Sequence, residues 1–126
     1  MTPDWQVAVR TGDLAQLQTL RAAGADLDAK DEHGQTALMN AARDGRTAIV
    51  RWLIAQGADL NHTAKFHLSA LMLAVINGRD AIVGHLVDAG ADRSIRGSGA
   101  PGFEGKTAID IAAAADRAIM VALLCD

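Results

Sequence analysis

The sequence predicts an all-α chain: a solenoid of four stacked helix-turn-helix units whose connecting loops project as β-hairpin-like fingers. Three observations carry that expectation. The tripeptide Gly-Ala-Asp recurs at Gly24–Asp26, Gly57–Asp59 and Gly90–Asp92, 33 residues apart each time, and a fixed period of this length is the mark of stacked repeats. Residues 31–63 set against 64–96 without a gap share thirteen identities, among them Leu38/Leu71, Ala41/Ala74, Val50/Val83 and Leu53/Leu86. Half of the 126 residues are hydrophobic, yet only 3% are aromatic and none is tyrosine. A core of Ala, Leu, Ile and Val suits closely packed helices.

Each element follows in order. In the first unit, about residues 1–30, Trp5, Ala8, Leu17 and Leu20 fall in the register of the later units, and Gly12 divides two short helices. In the second, 31–63, Thr36 precedes an apolar-periodic run and is placed to cap it, its oxygen taking a free N–H of the first turn. Gly45 stops that helix, because left-handed geometry costs glycine little. A second helix carries Ile49, Val50 and Leu53 at helical spacing and ends at Gly57. The third unit, 64–96, repeats the scheme with Ser69, Gly78 and Gly90. The fourth, 97–126, aligns only after five extra residues, assigned to its finger. There Thr107 is the cap, and Asp110, three residues on, completes a capping-box pair. Met120, Val121, Leu124 and Cys125 continue the buried stripe, while Ile119 and Leu123 point outward. Two short helices cannot bury their apolar faces alone, so neighbouring units must stack. The chain is therefore read as one domain, 1–126.

On these residues the chain resembles the ankyrin-repeat family. A family unit runs through a turn, Gly-x-Thr-Pro-Leu-His, a helix, a glycine, a second helix and Gly-Ala-Asp. Gly34-x-Thr36-Ala37-Leu38, Ala41-Ala42, Gly45, Ile49-Val50, Leu53 and Gly57-Ala58-Asp59 match it, and the likeness runs over essentially the whole chain. Departures are informative. Ala37, Ala70 and Ala108 stand for the proline, and Met39, Met72 and Asp110 for the histidine, which weakens the polar network that the histidine supports in the family. His67 replaces the turn glycine of the third unit, and Asp116 the inter-helix glycine of the fourth. The resemblance implies a non-catalytic protein-binding module, an adaptor or an inhibitor of the immunity or sequestering type. Such a module meets another protein on its concave side, through finger tips and first helices. Carried over position by position, the partner-binding set is Arg10, beside Thr11, in the first unit, then Glu32, His33, Gln35, Arg43 and Asp44 in the second. The third contributes Lys65, Phe66, Leu68, Ile76 and Asn77; the fourth contributes Phe103 and Glu104, with Lys106, Ala114 and Ala115 at matching places.

The third finger is unusual, since Lys65-Phe66-His67-Leu68 puts two apolar residues where polar turn residues are normal, and Ile76 adjoins them. Exposed apolar groups gathered on one face mark interaction surfaces. Two arrangements remain open: Phe66 and Leu68 face the groove, with the insertion Gly97–Pro101 bringing Phe103 beside Phe66, or they tuck against the neighbouring finger. Trp52 falls away from the groove and is expected to pack between second helices.

Other chemistry finds little support. Gly105-Lys106-Thr107 ends a glycine-rich stretch as a P-loop does, but a P-loop needs glycine five residues before Gly105. Ala100 occupies that place, and no apolar β-branched strand precedes it. The repeat accounts for the same residues as a turn glycine, an exposed turn lysine and a helix cap. A P-loop-like nucleotide-binding enzyme is thus the weaker alternative, and self-association through the last unit a further one. His33, His62, His67 and His85 lack the three or four converging ligands that a metal needs, so neither metal nor cofactor is expected. Asp28, Asp31, Asp59 and Asn61 recur with the repeat, as turn-forming residues do. A net charge of −3 spread without like-signed blocks argues against nucleic acid or anionic membrane as partner. No apolar run reaches spanning length, and the first ten residues carry no export pattern. The single Cys125 cannot form an internal disulfide, which fits a cytoplasmic monomer or weak homo-oligomer.

Overall fold

The computed structural model describes residues 1–99 and 102–125; Ala100 and Pro101 of the expected insertion lie outside the described residues. Eight α-helices form four pairs among them: α1 (Pro3–Thr11) with α2 (Leu14–Ala22), α3 (Ala37–Asp44) with α4 (Thr47–Ala55), α5 (Ala70–Ile76) with α6 (Asp80–Asp88), and α7 (Ala108–Ala114) with α8 (Ala118–Leu124). None exceeds nine residues, too short to persist alone in water. Packing holds them. The first helices stack α1 on α3 on α5 on α7, and α4, α6 and α8 form a second row. Leu17, Val50, Leu53, Val83 and Leu86 are fully buried between the rows at 0% exposure. The second-helix Trp52 is half-buried, with its ring tilted against that of Trp5 on α1 at 6.3 Å. This ring contact reaches a first helix.

The helix starts are capped as the sequence predicts. Thr36, Ser69 and Thr107 accept the N–H of Met39, Met72 and Asp110 at 3.3, 3.3 and 3.4 Å. Asp110 Oδ2 in turn accepts the Thr107 N–H at 3.0 Å, completing the capping box. The fingers are turns rather than strands among the described residues, each closed by one matching bond. The N–H of Asp31, Ala64 and Gly97 donates to the carbonyl of Gln35, Leu68 and Lys106, at 2.9, 3.3 and 2.9 Å. The last of these closes over the longer loop, so the five extra residues sit in the fourth finger. The carboxylates of the Gly-Ala-Asp turns work within and between units. Asp26, Asp59 and Asp92 accept the N–H two residues on, while Asp28 and Asn61 accept the N–H of Asp59 and Asp92 of the next unit, at 2.9 and 2.8 Å.

Between paired helices the structure shows a second repeated device. Gly12, Gly45 and Gly78 take φ of +80°, +78° and +73°, and an arginine of the following unit lies over each, 3.0, 3.0 and 2.6 Å from where a Cβ would stand. Arg46 and Arg79 use that approach to donate to the carbonyls of Arg10 and Arg43, at 2.7 and 3.2 Å, which the ends of α1 and α3 leave open. These glycines therefore serve twice, in conformation and in space. Asp116 takes the same left-handed conformation, φ 55°, which strains a residue that carries a Cβ. Asp116→Gly should therefore raise the free energy of unfolding by about 0.5 kcal/mol, and Asp116→Val, β-branched at positive φ, should lower it by about 1 kcal/mol or more. Urea denaturation of the two variants checks both signs.

Candidate functional site

The concave face changes character along the array. Equivalent positions of the first helices carry Arg10, Arg43 and Ile76 on one line, and Val7, Asn40, Leu73 and Ile111 on the next. The half built by the first two units is charged, and the half built by the last two is apolar.

Arg10, Glu32, His33, Arg43 and Asp44 gather around one pocket of about 220 Å³, completed by Gln6, Val9, Asp31 and Asn40. The short finger sets this arrangement. Asp31 Oδ1 accepts the N–H of His33 and Gln35 at 2.8 and 2.9 Å, and Oδ2 accepts from Asn40 Nδ2 at 3.2 Å. Partial burial works to raise the Asp31 pKa. The hydrogen bonds from Gln35, Asn40 and His33, with the nearby His33 charge, outweigh it and hold the carboxyl below its ordinary value of 3.8, so it is anionic at neutral pH. Arg43 is fixed by Gln35 Oε1 and Asp44 Oδ1, each at 3.0 Å. Glu32 and His33 approach at 3.6 Å at the tip, both largely exposed.

The third finger is bound to the fourth. Phe66 and His67 adopt φ of 62° and 58°. The Phe66 carbonyl accepts the Ser98 N–H at 2.8 Å, and the His67 ring donates Nδ1–H to the Arg96 carbonyl at 2.8 Å. A Cβ at position 99 would stand 3.7 Å from the Phe66 ring, an ordinary contact, and Lys65 Nζ lies 4.9 Å from the ring centroid. Phe66 is half-buried against the core. Leu68, carried over as a groove residue with an inward arrangement left open, is core at 6% exposure, because the residue after the left-handed pair turns inward to reach Ser69. Ile76 is half-buried; Asn77 is exposed and donates Nδ2–H to the Leu73 carbonyl at 2.8 Å. Phe103 is half-buried under the loop, where its carbonyl oxygen would stand 2.5 Å from a Cβ on residue 97. No ring contact joins Phe103 to Phe66 among the described residues. Glu104, Lys106, Ala114 and Ala115 are exposed.

The sequence reading missed Asp31 and Asn40 as members of this site. A signal was present: Asn40 is the one polar residue on the line Val7, Leu73, Ile111. Without the finger geometry its meaning was hidden.

The glycine-rich stretch is a cap. In a P-loop the backbone N–H groups face phosphate; here those of Gly105, Lys106 and Thr107 are bonded to Gly97 O, Phe103 O and Asp110 Oδ2, at 2.9, 2.9 and 3.0 Å. Among the described residues no three of His, Cys, Asp and Glu converge as metal ligands, and no helix is long and apolar enough to cross a membrane. At the far end Ile119 and Leu123 are exposed at 64% and 36%, beside an apolar hollow of about 460 Å³ that includes Ala113, Val121 and Cys125. Met120 and Leu124 are buried, but Cys125 is exposed. Helix α8 closes at Leu124 and the chain turns extended at Cys125, so that residue leaves the buried stripe assigned to it.

The family model for ankyrin repeats, in 3 copies, matches residues 5–97. No curated protein sequence matches the chain. Among solved structures 450 chains match, so architecture alone names no partner. One is a chain of the complex of the predatory endopeptidase Bd0816 from Bdellovibrio bacteriovorus with the immunity protein Bd3460. It superposes with a TM-score of 0.82 at 32% identity, over 98% of this chain and 63% of that one. This chain thus spans under two thirds of the length of the chain it matches.

Proposed function

The chain belongs to the ankyrin-repeat family of protein-binding modules, and from that premise we propose that it is a non-catalytic inhibitor of the immunity type, whose concave groove covers a partner enzyme. The observation that carries this reading is the groove itself. A charged pocket adjoins an apolar third unit on one rigid face, and interfaces combine an apolar anchor with a polar rim in this way. The likeness to the immunity complex supports an endopeptidase as the class of partner. Arg10, Glu32, His33, Gln35, Arg43 and Asp44 would form the charged end, and Lys65, Phe66, Ile76, Asn77, Phe103 and Glu104 the other. Leu68 acts behind them as core. The lone, exposed Cys125 supports action in a reducing cytoplasm.

The reading is tested with a photo-crosslinking residue placed at position 43, in the groove, and in a second protein at position 51, exposed on α4. In the native host, crosslinking from 43 and not from 51 is expected, and the captured protein should lose enzymatic activity when bound. Equal capture from both positions would overturn it. A second reading, self-association through the exposed Ile119 and Leu123, is checked by light scattering of Leu123→Glu. A concentration-dependent dimer that this variant abolishes would favour it.

A further inference from the structure

Asn40 is only 7% exposed, and its Oδ1 is buried without a hydrogen-bond partner among the described residues. The orientation of its amide is not arbitrary. The Asp31 carboxylate facing it can only accept, so the NH₂ end must turn to Asp31, at 3.2 Å, and the oxygen must turn away. Asn40 lines the pocket between the first two units, with Oδ1 itself closed to solvent in the unbound protein. A buried acceptor left open costs free energy that a well-packed apolar residue would not. The repeat supplies the comparison: the third unit has Ala64 and Leu73 where the second has Asp31 and Asn40, and its finger closes by the same backbone bond. The polar pair is therefore not needed to build the unit.

The surrounding charge indicates what the acceptor awaits. Arg43 is already engaged by Asp44 and Gln35. That leaves the Asp31 and Glu32 carboxylates against Arg10 and the His33 ring, which meets Glu32 at 3.6 Å, so the lining is net negative while His33 is neutral, with Val9 as the apolar wall. We propose that this pocket seats one basic side chain of the partner, a lysine or arginine, which donates a hydrogen bond to Asn40 Oδ1 and pairs with the carboxylates of Asp31 and Glu32. The stem of that side chain lies along Val9, and the space of about 220 Å³ admits the side chain as a whole. This names a recognition element for the groove and rests on the reading that the groove binds protein.

The probe is Nα-acetyl-lysine N-methylamide, titrated into the isotope-labelled protein and followed by NMR. Saturable shifts are expected at the His33 and Gln35 N–H and at the Asn40 side-chain amide. The norleucine analogue, isosteric along the stem and uncharged, should bind about tenfold more weakly or worse, since hydrogen bonds to charged groups are worth that much. Asn40→Leu, which installs the residue of the third unit, should abolish the response without lowering the melting temperature. Glu32→Gln, at an exposed finger tip where folding is not at stake, should weaken it severalfold. Equal binding of the norleucine amide, shifts that persist in Asn40→Leu, or no saturable shift at all would each overturn the proposal, as would a crystal grown in the lysine amide with only water in the pocket. Crosslinking from position 43 with no lysine response would leave the groove standing and remove this seat alone.

Discussion

Leu71→Ala is expected to lower the free energy of unfolding by about 3 kcal/mol, within the range for emptying a leucine site in a closed core. Leu71 is 1% exposed on α5, the helix that packs against α3, α6 and α7. A cavity there loosens the third unit's own pair and both of its interfaces at once. In a linear array stability is the sum of unit and neighbour terms, so an internal position weighs more than a terminal one. Leu124→Ala, 5% exposed on α8, should cost less, because the main packing of α8 is against two helices, α6 and α7. Against a typical net stability of about 5–15 kcal/mol, the Leu71 loss would remove roughly a fifth to more than half of the total. Urea denaturation of both variants, followed by amide exchange, distinguishes the cases. Leu71→Ala should speed exchange in all units, whereas Leu124→Ala should act mainly on α7 and α8. Equal losses at the two sites would mean that the units do not contribute as neighbours in a line.

The same linear logic explains what could be read in advance. Positions whose role is repeated, such as the caps Thr36, Ser69 and Thr107 and the glycines Gly12, Gly45 and Gly78, were legible because a local rule fixes each one and the repeat checks it three or four times over. Asp116 and His67 were legible as departures, and both hold the left-handed conformation of the glycines they replace. What escaped was contact between units. The arginine of the next unit over each glycine depends on a spacing that no local pattern encodes. The sequence leaves Leu68 open between groove and interior because its neighbours are turn residues, and the left-handed Phe66 and His67 redirect the chain and carry it inward. Cys125 was assigned to the core by continuing a helical stripe one residue past the end of its helix. Asn40 stood out in the register, yet its meaning lies in Asp31, nine residues away across a finger.

The third finger yields the second large effect, on binding. Phe66→Ala is expected to weaken partner binding by about 2 kcal/mol, the size expected of an aromatic anchor at the centre of an interface. The sequence alone leaves Phe66 open between groove and core, and the structure half-buries it against the core. The ring packs against the core and lies near Gly99, and the Lys65 ammonium stands 4.9 Å from its centroid. Truncation should therefore also cost about 1 kcal/mol of stability from the apolar area it exposes. The backbone bond from Ser98 N–H to the Phe66 carbonyl survives the change, so the two fingers stay joined. Arg43→Glu is the companion at the charged end. Its pairs with Asp44 and Gln35 lie near the surface, where such pairs contribute about 1 kcal/mol or less, so stability should move little. Reversing its charge inside the interface should nonetheless cost about 2 kcal/mol or more of affinity and slow association at low salt. Calorimetric titration against the captured partner, with melting curves of the free proteins, reads both quantities. If Phe66→Ala lowers stability while binding per folded molecule is unchanged, and Arg43→Glu still abolishes binding, the partner rests on the charged half of the groove and the third finger serves only to hold the inserted loop.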